Sequence, residues 1–294
     1  VHGLIIFGMD KGPNSLLVQT KRRLRQAGLK ARKGLGQHFL VDGEVLEFIT
    51  SAAGLSPDDL VVEVGPGLGI LTEALAKKAG GVIAIELDDR LAALLKKTLA
   101  SFKNVTIVND DVLNIEPEEL LKRQKSPLYK VVANLPYYIT SPVLRHFLTA
   151  SAKPGVMVVM VQQEVAEAIA AQPGDMSLLS VSVQFYGRPE IVRRVPAQAF
   201  YPAPEVDSAL LRIELYPEPA VVVDEGGFFE LVRAGFSAPR KQIGNSLSQG
   251  LGLPKDGVLP LLERAEIDWQ RRAETLTLEE WARLWRVFEE KRAW

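Results

Sequence analysis

From residue 60 onward, short β-branched runs alternate with helical patterns, and that alternation restricts the chain to a parallel sheet covered by helices on both faces. Residues 61–64, 82–85, 106–108, 131–133 and 156–161 read as strands. Residues 70–78 and 91–99 read as helices. The second sets Leu91, Leu94, Leu95 and Leu99 on one face and places Asp88 and Asp89 where the positive helix end favours a negative charge. Ser141 and Pro142 read as the N-cap and first residue of a further helix, with Val143, Leu144, Phe147 and Leu148 as its buried stripe. Residues 180–185 and 208–215 flank a proline-rich loop and are expected to pair as late antiparallel strands. Pro217 and Pro219 then mark a break, after which residues 228–236, 240–251, 258–264 and 278–292 read helical. The expected architecture is an α/β, doubly wound, Rossmann-like sheet over residues 34–220. A basic extension (1–33) precedes it and a small all-α domain (221–294) follows.

The 294 residues provide for such a pair of domains, and a hydrophobic content of 47% with 24% charged residues excludes global disorder. The absence of cysteine excludes a disulfide scaffold, a thiolate zinc site and a cysteine nucleophile, and suits a reducing compartment, so a cytoplasmic protein is expected. Apolar runs such as residues 155–161 fall short of the ~18 residues that a membrane helix needs. Residues 1–10 read as a frayed extension rather than a signal peptide, with Met9 a candidate natural start.

Net charge is −1, yet from Lys11 to Val41 the chain carries Lys11, Lys21, Arg22, Arg23, Arg25, Lys30, Arg32 and Lys33 without a single acid. Such a stretch is either an arm that neutralises a phosphate backbone or a solvated helix face.

The chemistry concentrates at strand ends. Glu63-Val64-Gly65-Pro66-Gly67-Leu68-Gly69 follows a strand and opens a helix, the place where a doubly wound fold binds a nucleotide-like ligand. The dinucleotide fingerprint needs glycine at position 70, where Ile70 stands, so the spacing favours a ligand without a pyrophosphate. Glu86, at the end of the next strand, is placed to accept hydrogen bonds from ribose hydroxyls. Asp111 either accepts from an adenine amino group or serves a turn with Asp110. Asn134-Leu135-Pro136-Tyr137 ends the fourth strand. An exocyclic base amine is a poor nucleophile because its lone pair is delocalised into the ring. Acceptors that hold its hydrogens pull that pair out of plane. The Asn134 side chain and the Leu135 or Pro136 carbonyl can do this while Tyr137 stacks on the base; the plainer alternative is an ordinary proline turn with a half-buried tyrosine. His2 and His146 read as structural, no metal cluster is expected, and Trp269, Trp281, Trp285 and Trp294 read as core of the helical domain.

Taken in order, the chain resembles the small-subunit ribosomal RNA adenine dimethyltransferase family. Gly36 to Asp42 resembles its leading motif and Glu63 to Gly69 its cofactor loop. Ile85 to Asp88, Asp111, Asn134 to Tyr137 and Gln163 to Val165 then follow in the family's order. Phe200 to Ser208 resembles the late motif, and Arg240 to Leu247 the signature of the helical domain. The resemblance implies S-adenosylmethionine as cofactor, held by His38, Leu40, Gly65, Gly67, Glu86, Asp111 and Asn134, with Tyr137 and Phe200 sandwiching the target adenine. Arg240 and Lys241 join Arg22, Arg23 and Arg25 as expected RNA contacts. His38 and Tyr138 stand where asparagine is usual or frequent, and Met176-Ser177-Leu178 replaces a common Tyr-Gly pair. The implied activity is dimethylation of two adjacent adenosines in the hairpin near the 3′ end of small-subunit (16S) RNA, within the assembling subunit, by a monomer. The rivals are a large-subunit RNA dimethylase that confers macrolide resistance, a non-catalytic assembly or transcription factor on the same fold, and a dehydrogenase, which Ile70 disfavours.

Overall fold

The computed structural model describes residues 15–31, 37–122 and 128–292. The expectations for residues 1–10, Lys11, Arg32, Lys33, Gly36 and Trp294 lie outside the described residues. By their internal contacts, the residues through Gln163 together with Ile191–Ile213 make one compact unit, and Glu164–Glu190 together with the residues from Glu214 make a second. Residues 164–190, expected within the sheet domain, therefore group with the C-terminal helices.

The strands are β1 (Phe39–Leu40), β2 (Leu60–Val64), β3 (Gly81–Ile85), β4 (Val105–Val108), β5 (Tyr129–Asn134), β6 (Val156–Gln162), β7 (Gly187–Val195), β8 (Phe200–Tyr201) and β9 (Ser208–Leu215). Seven of them form one sheet in the order β4-β3-β2-β5-β6-β9-β7. The pairs β2–β3, β3–β4, β2–β5 and β5–β6 are parallel, with Val61 opposite both Val82 and Lys130, and Val132 opposite Val158. All five residues of β2 are buried, as expected of a strand covered on both faces. From β2 the chain winds outward to β3 and β4, then returns to add β5 and β6 on the other side. The carboxyl ends of β2 and β5 thus flank the topological switch point, where such sheets open a crevice. A separate antiparallel ribbon joins β1 to β8, Phe39 opposite Tyr201 and Leu40 opposite Phe200.

The helices that matter for the site are α1 (Leu16–Gln26), α2 (Gly43–Ala52), α3 (Ile70–Ala76) and α4 (Asp89–Thr98). Asp42 caps α2 through Glu44 N and Val45 N, and Asp88 caps α4 through Arg90 N and Leu91 N, each satisfying donors that a helix start leaves open. After α5 (Pro117–Lys122), α6 (Thr140–Leu148) starts two residues earlier than expected. A 3₁₀ turn, Tyr137–Ile139, runs straight into it, so Ser141 lies inside the first turn and no side chain caps the helix. Its stripe Val143, Leu144, Phe147 and Leu148 is buried as expected.

A larger correction concerns residues 180–185. They belong to α8 (Leu178–Gln184), which follows α7 (Gln163–Ile169), and the neighbours of β9 are β6 and β7. The alternation of serine with apolar residues imitates a strand, but Ser177 and Ser180 form a reciprocal capping box, and the Ser182 hydroxyl donates back to the Leu178 carbonyl. These local bonds satisfy the serines inside a helix.

In the second unit, α9 (Glu225–Gly235), α10 (Ile243–Leu251), α11 (Lys255–Arg264) and α12 (Leu278–Arg292) fall close to the expected spans. Trp281 and Trp285 are buried there, Trp281 lying 5.7 Å from the Phe236 ring. Gly250 lets α10 approach the α9 backbone: a Cβ at that position would stand 2.5 Å from the Ala234 carbonyl oxygen.

Candidate active site

The turn after β2 depends on glycine. Gly65, Gly67 and Gly69 all have positive φ, at 67°, 59° and 79°, where a side chain is strained. Space adds a second reason at two of them: a Cβ on Gly67 would meet the Phe39 ring at 3.1 Å, and one on Gly69 would meet Leu95 Cδ2 at 2.8 Å. The turn encloses one side of a cavity of about 560 Å³, lined also by His38, Leu40, Glu63, Glu86, Asp111 and residues 134–138. That volume lies in the range of small-molecule and cofactor sites.

Two carboxyls stand in the lining, Glu63 on β2 and Glu86 just past the end of neighbouring β3, in opposite surroundings. Glu86 Oε2 accepts from Gly67 N at 3.0 Å and Oε1 from Asp88 N at 2.9 Å. Burial pushes its pKa up, the two backbone donors pull it back, and the charge of Asp88 adds to the rise. Each oxygen keeps a lone pair for a ligand donor. Glu63 is only 1% exposed, and its Oε2 has no hydrogen-bond partner. Burial, with the charge of Glu86 adding to it, pushes its carboxyl up to about 8. Nearby Thr72 tempers the rise, although its hydroxyl meets no partner in hydrogen-bond geometry. At neutral pH Glu63 is therefore mostly protonated, whereas the backbone donors at Glu86 favour its carboxylate form.

The end of β5 is equally constrained. Asn134 Nδ2 donates to the His38 carbonyl at 2.9 Å, which sets the orientation of the amide and leaves Oδ1 as an acceptor. The Pro136 carbonyl accepts from Ile139 N at 3.1 Å, whereas among the described residues no hydrogen bond reaches the Leu135 carbonyl. Of the two backbone acceptors considered from the sequence, Leu135 is the one left open. The Tyr137 hydroxyl meets Ser208 Oγ at 2.8 Å, and burial raises its pKa, so the phenol stays neutral. The Tyr137 ring stacks on His38, centroids 5.8 Å apart and planes 22° from parallel. His38 Nδ1 lies 2.8 Å from the Pro202 carbonyl, which can only accept, so Nδ1 bears a proton. Ser208, which restrains the Tyr137 hydroxyl, was visible only as the last residue of the late motif.

Asp111 lines the cavity, and its Oδ1 accepts from Leu113 N at 3.0 Å to cap a 3₁₀ turn, as the turn reading expects. Leu40 is buried in the ribbon beside the turn. Phe200 is not brought to the cavity. Paired with Leu40 in the ribbon, it is 3% exposed and packs with Val45, Ile49 and Val132. Tyr138 instead stands at the cavity mouth, 57% exposed. Of the basic residues, Arg22 and Arg25 are exposed on α1, and Arg240 and Lys241 are exposed in the second unit. Arg23 is turned inward and bonded to the Leu68 carbonyl and to Glu73. His146 is structural: its Nε2 meets the Ile115 carbonyl at 3.0 Å. Among the described residues no cluster of His, Cys, Asp and Glu could hold a metal ion, and no helix is long and apolar enough to cross a membrane.

Three comparisons bear on this geometry. A relative from Dehalococcoides mccartyi, strain 195, the ribosomal RNA small subunit methyltransferase A, is 54% identical over 281 residues, covering 95% of this chain and 96% of its own. The crystal structure of the 23S rRNA methyltransferase ErmE superposes with a TM-score of 0.66 at 30% identity, covering 85% of this chain and 99% of that one. A dimethyladenosine transferase from Plasmodium falciparum shares the fold, with a TM-score of 0.73 at 24% identity over 87% of this chain and 98% of that one. The profile of the ribosomal RNA adenine dimethylases matches residues 28–290, so that with its glycine turn, its paired carboxyls and its Asn134 to Tyr137 corner this chain belongs to the ribosomal RNA adenine dimethylase family.

Proposed function

We propose that this protein dimethylates the exocyclic amine of two adjacent adenosines in the 3′-end hairpin of small-subunit ribosomal RNA, using S-adenosylmethionine, during assembly of the subunit in the cytoplasm. The observation that carries the reading is the bond from Asn134 Nδ2 to the His38 carbonyl, because it leaves Oδ1 as an acceptor beside the open Leu135 carbonyl. The 54% identity to a small-subunit enzyme supports that substrate over the large-subunit RNA of the 30% identical structure.

The residues present fit the cofactor. Glu86, buried in the cavity lining, offers lone pairs to ribose hydroxyls, and Gly67 keeps open a space that a side chain would fill against Phe39. Asp111 and His38 complete the lining of that cavity. When bound, S-adenosylmethionine supplies a methyl group on a sulfonium, whose departure as a neutral thioether needs no acid.

The protein's work is alignment. Asn134 Oδ1 and the Leu135 carbonyl accept the two amine hydrogens, drawing the lone pair out of the ring, and Tyr137 offers its face to the base. Tyr137 is held in advance by Ser208 and His38, so little is lost in ordering it. The amine proton passes to water after transfer, and for the second methyl group one amine hydrogen remains to be held. The adenosine must first leave its stack, which costs a few kcal/mol in a duplex and less in a loop. Arg22 and Arg25 on one unit, and Arg240 and Lys241 on the other, supply exposed positive charge for the RNA backbone. A monomer contains all of these groups.

Transfer of labelled methyl groups to immature small subunits, followed by mapping of the modified adenosines, tests the reading. Label in the 3′-end hairpin of the small-subunit RNA is expected. Label only elsewhere in that RNA, or none, would overturn it.

A further inference from the structure

We propose that Arg23 is a positioning residue for the cofactor turn rather than an RNA contact; the inference rests on the reading of the cavity as the S-adenosylmethionine site. By composition the cations of the basic stretch either face a phosphate backbone or lie on a solvated helix face. Arg23 departs from its neighbours Arg22 and Arg25, which are exposed. Its Nη1 donates to the Leu68 carbonyl at 2.7 Å and its Nη2 to Glu73 Oε1 at 2.5 Å, the two side chains being 16% and 26% exposed.

The position of those two acceptors gives the contact its meaning. Leu68 lies between Gly67 and Gly69, and Glu73 lies in the first turn of α3, which Gly69 begins. One guanidinium therefore braces the turn and the helix that follows it. Glycine is required at 67 and 69 by φ and by space, and glycine surrenders more backbone freedom on ordering than any other residue. A turn built this way gains from an external restraint. The Leu68 carbonyl precedes the helix and is one that the α3 ladder does not use, so Arg23 satisfies it. Next to Arg23, Leu24 is buried against Phe39, Leu68 and Leu91, so that α1 is seated on the outside of the turn. On the inside, Gly67 N holds Glu86 Oε2. Arg23 thus acts through Leu68 and Gly67 on the carboxylate read as the ribose acceptor, without lining the cavity itself.

Arg23→Gln keeps bulk and polarity but removes the charge and the fork. With the full-length protein and immature small subunits, its KM for S-adenosylmethionine is expected to rise about 10-fold, with kcat at saturating cofactor within about 2-fold of the parent. RNA affinity and its salt dependence should stay unchanged. Arg23→Lys, which can reach only one of the two acceptors, should recover part of the cofactor affinity. Glu73→Gln, which leaves the Leu68 bond in place, should weaken cofactor binding by a few fold and add nothing to Arg23→Gln. If Arg23→Gln does not fold, Arg23→Lys and Glu73→Gln carry the same test by calorimetry. Unchanged cofactor affinity in folded variants would overturn the inference alone, as would a salt slope lowered by about one phosphate contact. Failure of the parent protein to bind S-adenosylmethionine would overturn the cofactor reading as well.

Discussion

Glu63→Gln should stabilise the sheet unit, and increasingly so as pH rises. The carboxyl is buried, lacks a partner at Oε2 and has a pKa of about 8 against 4.5 for the free side chain. Between those values the folded protein holds a proton that the unfolded chain has released, so the unfolded state binds fewer protons and stability falls as pH increases. Below 4.5 both states are protonated and the group contributes no slope, whereas above about 8 the loss is complete. The interval, at 1.36 kcal/mol per pH unit, caps the loss at about 5 kcal/mol, and water entry around the ionised group reduces this to about 3 kcal/mol. Glutamine has nearly the same shape and does not ionise. Urea unfolding at pH 4, 5, 6, 7, 8 and 8.5 should therefore show a difference near zero at the acid end, growing to about 3 kcal/mol at the basic end. Circular dichroism is the appropriate probe, because every tryptophan lies in the helical unit and fluorescence would follow that unit instead. A difference that stays flat across the series would refute the assignment of Glu63 as a proton held in the folded state.

Four further outcomes are expected. Glu86→Ala should weaken S-adenosylmethionine binding by about 1 to 3 kcal/mol in calorimetry, the cost of losing charge-assisted hydrogen bonds, and unchanged binding would remove the ribose assignment. Asn134→Ala should slow single-turnover methyl transfer by about 100-fold or more with both substrates saturating, whereas near-normal transfer would sink its role at the amine. Gly250→Ala should destabilise the helical unit by about 1 to 3 kcal/mol, read by tryptophan fluorescence during urea unfolding, because the new methyl meets the Ala234 backbone. Reversing the charges of Arg22 and Arg25 should flatten the log–log salt dependence of RNA binding by about 0.7 to 0.9 per lost contact, and an unaltered slope would make them merely solvated.

The sequence by itself determined the elements whose signals are local. The parallel strands from β2 to β6, the acidic start of α4 and the four C-terminal helices follow from periodicity, from the charge that a helix end favours and from proline, all of which act within a few residues. The glycine turn was legible because positive φ needs glycine whatever surrounds it, and Glu86 and Asn134 were legible because each follows a strand at the edge where such sheets keep their sites. Tertiary structure decided what those signals do not contain. Residues 180–185 carry a strand-like alternation beside a serine capping box, two local signals in conflict, and packing set β7, unrecognised in the proline-rich segment, in their place beside β9. Phe200 went to the core because ribbon pairing set it opposite Leu40, and Arg23 left the basic face because Leu68 and Glu73, 45 and 50 residues away, offered acceptors. The elevated pKa of Glu63 has the same origin. A residue's type and spacing state what it can donate or accept, but burial and the partner that meets it arise only when distant segments pack together.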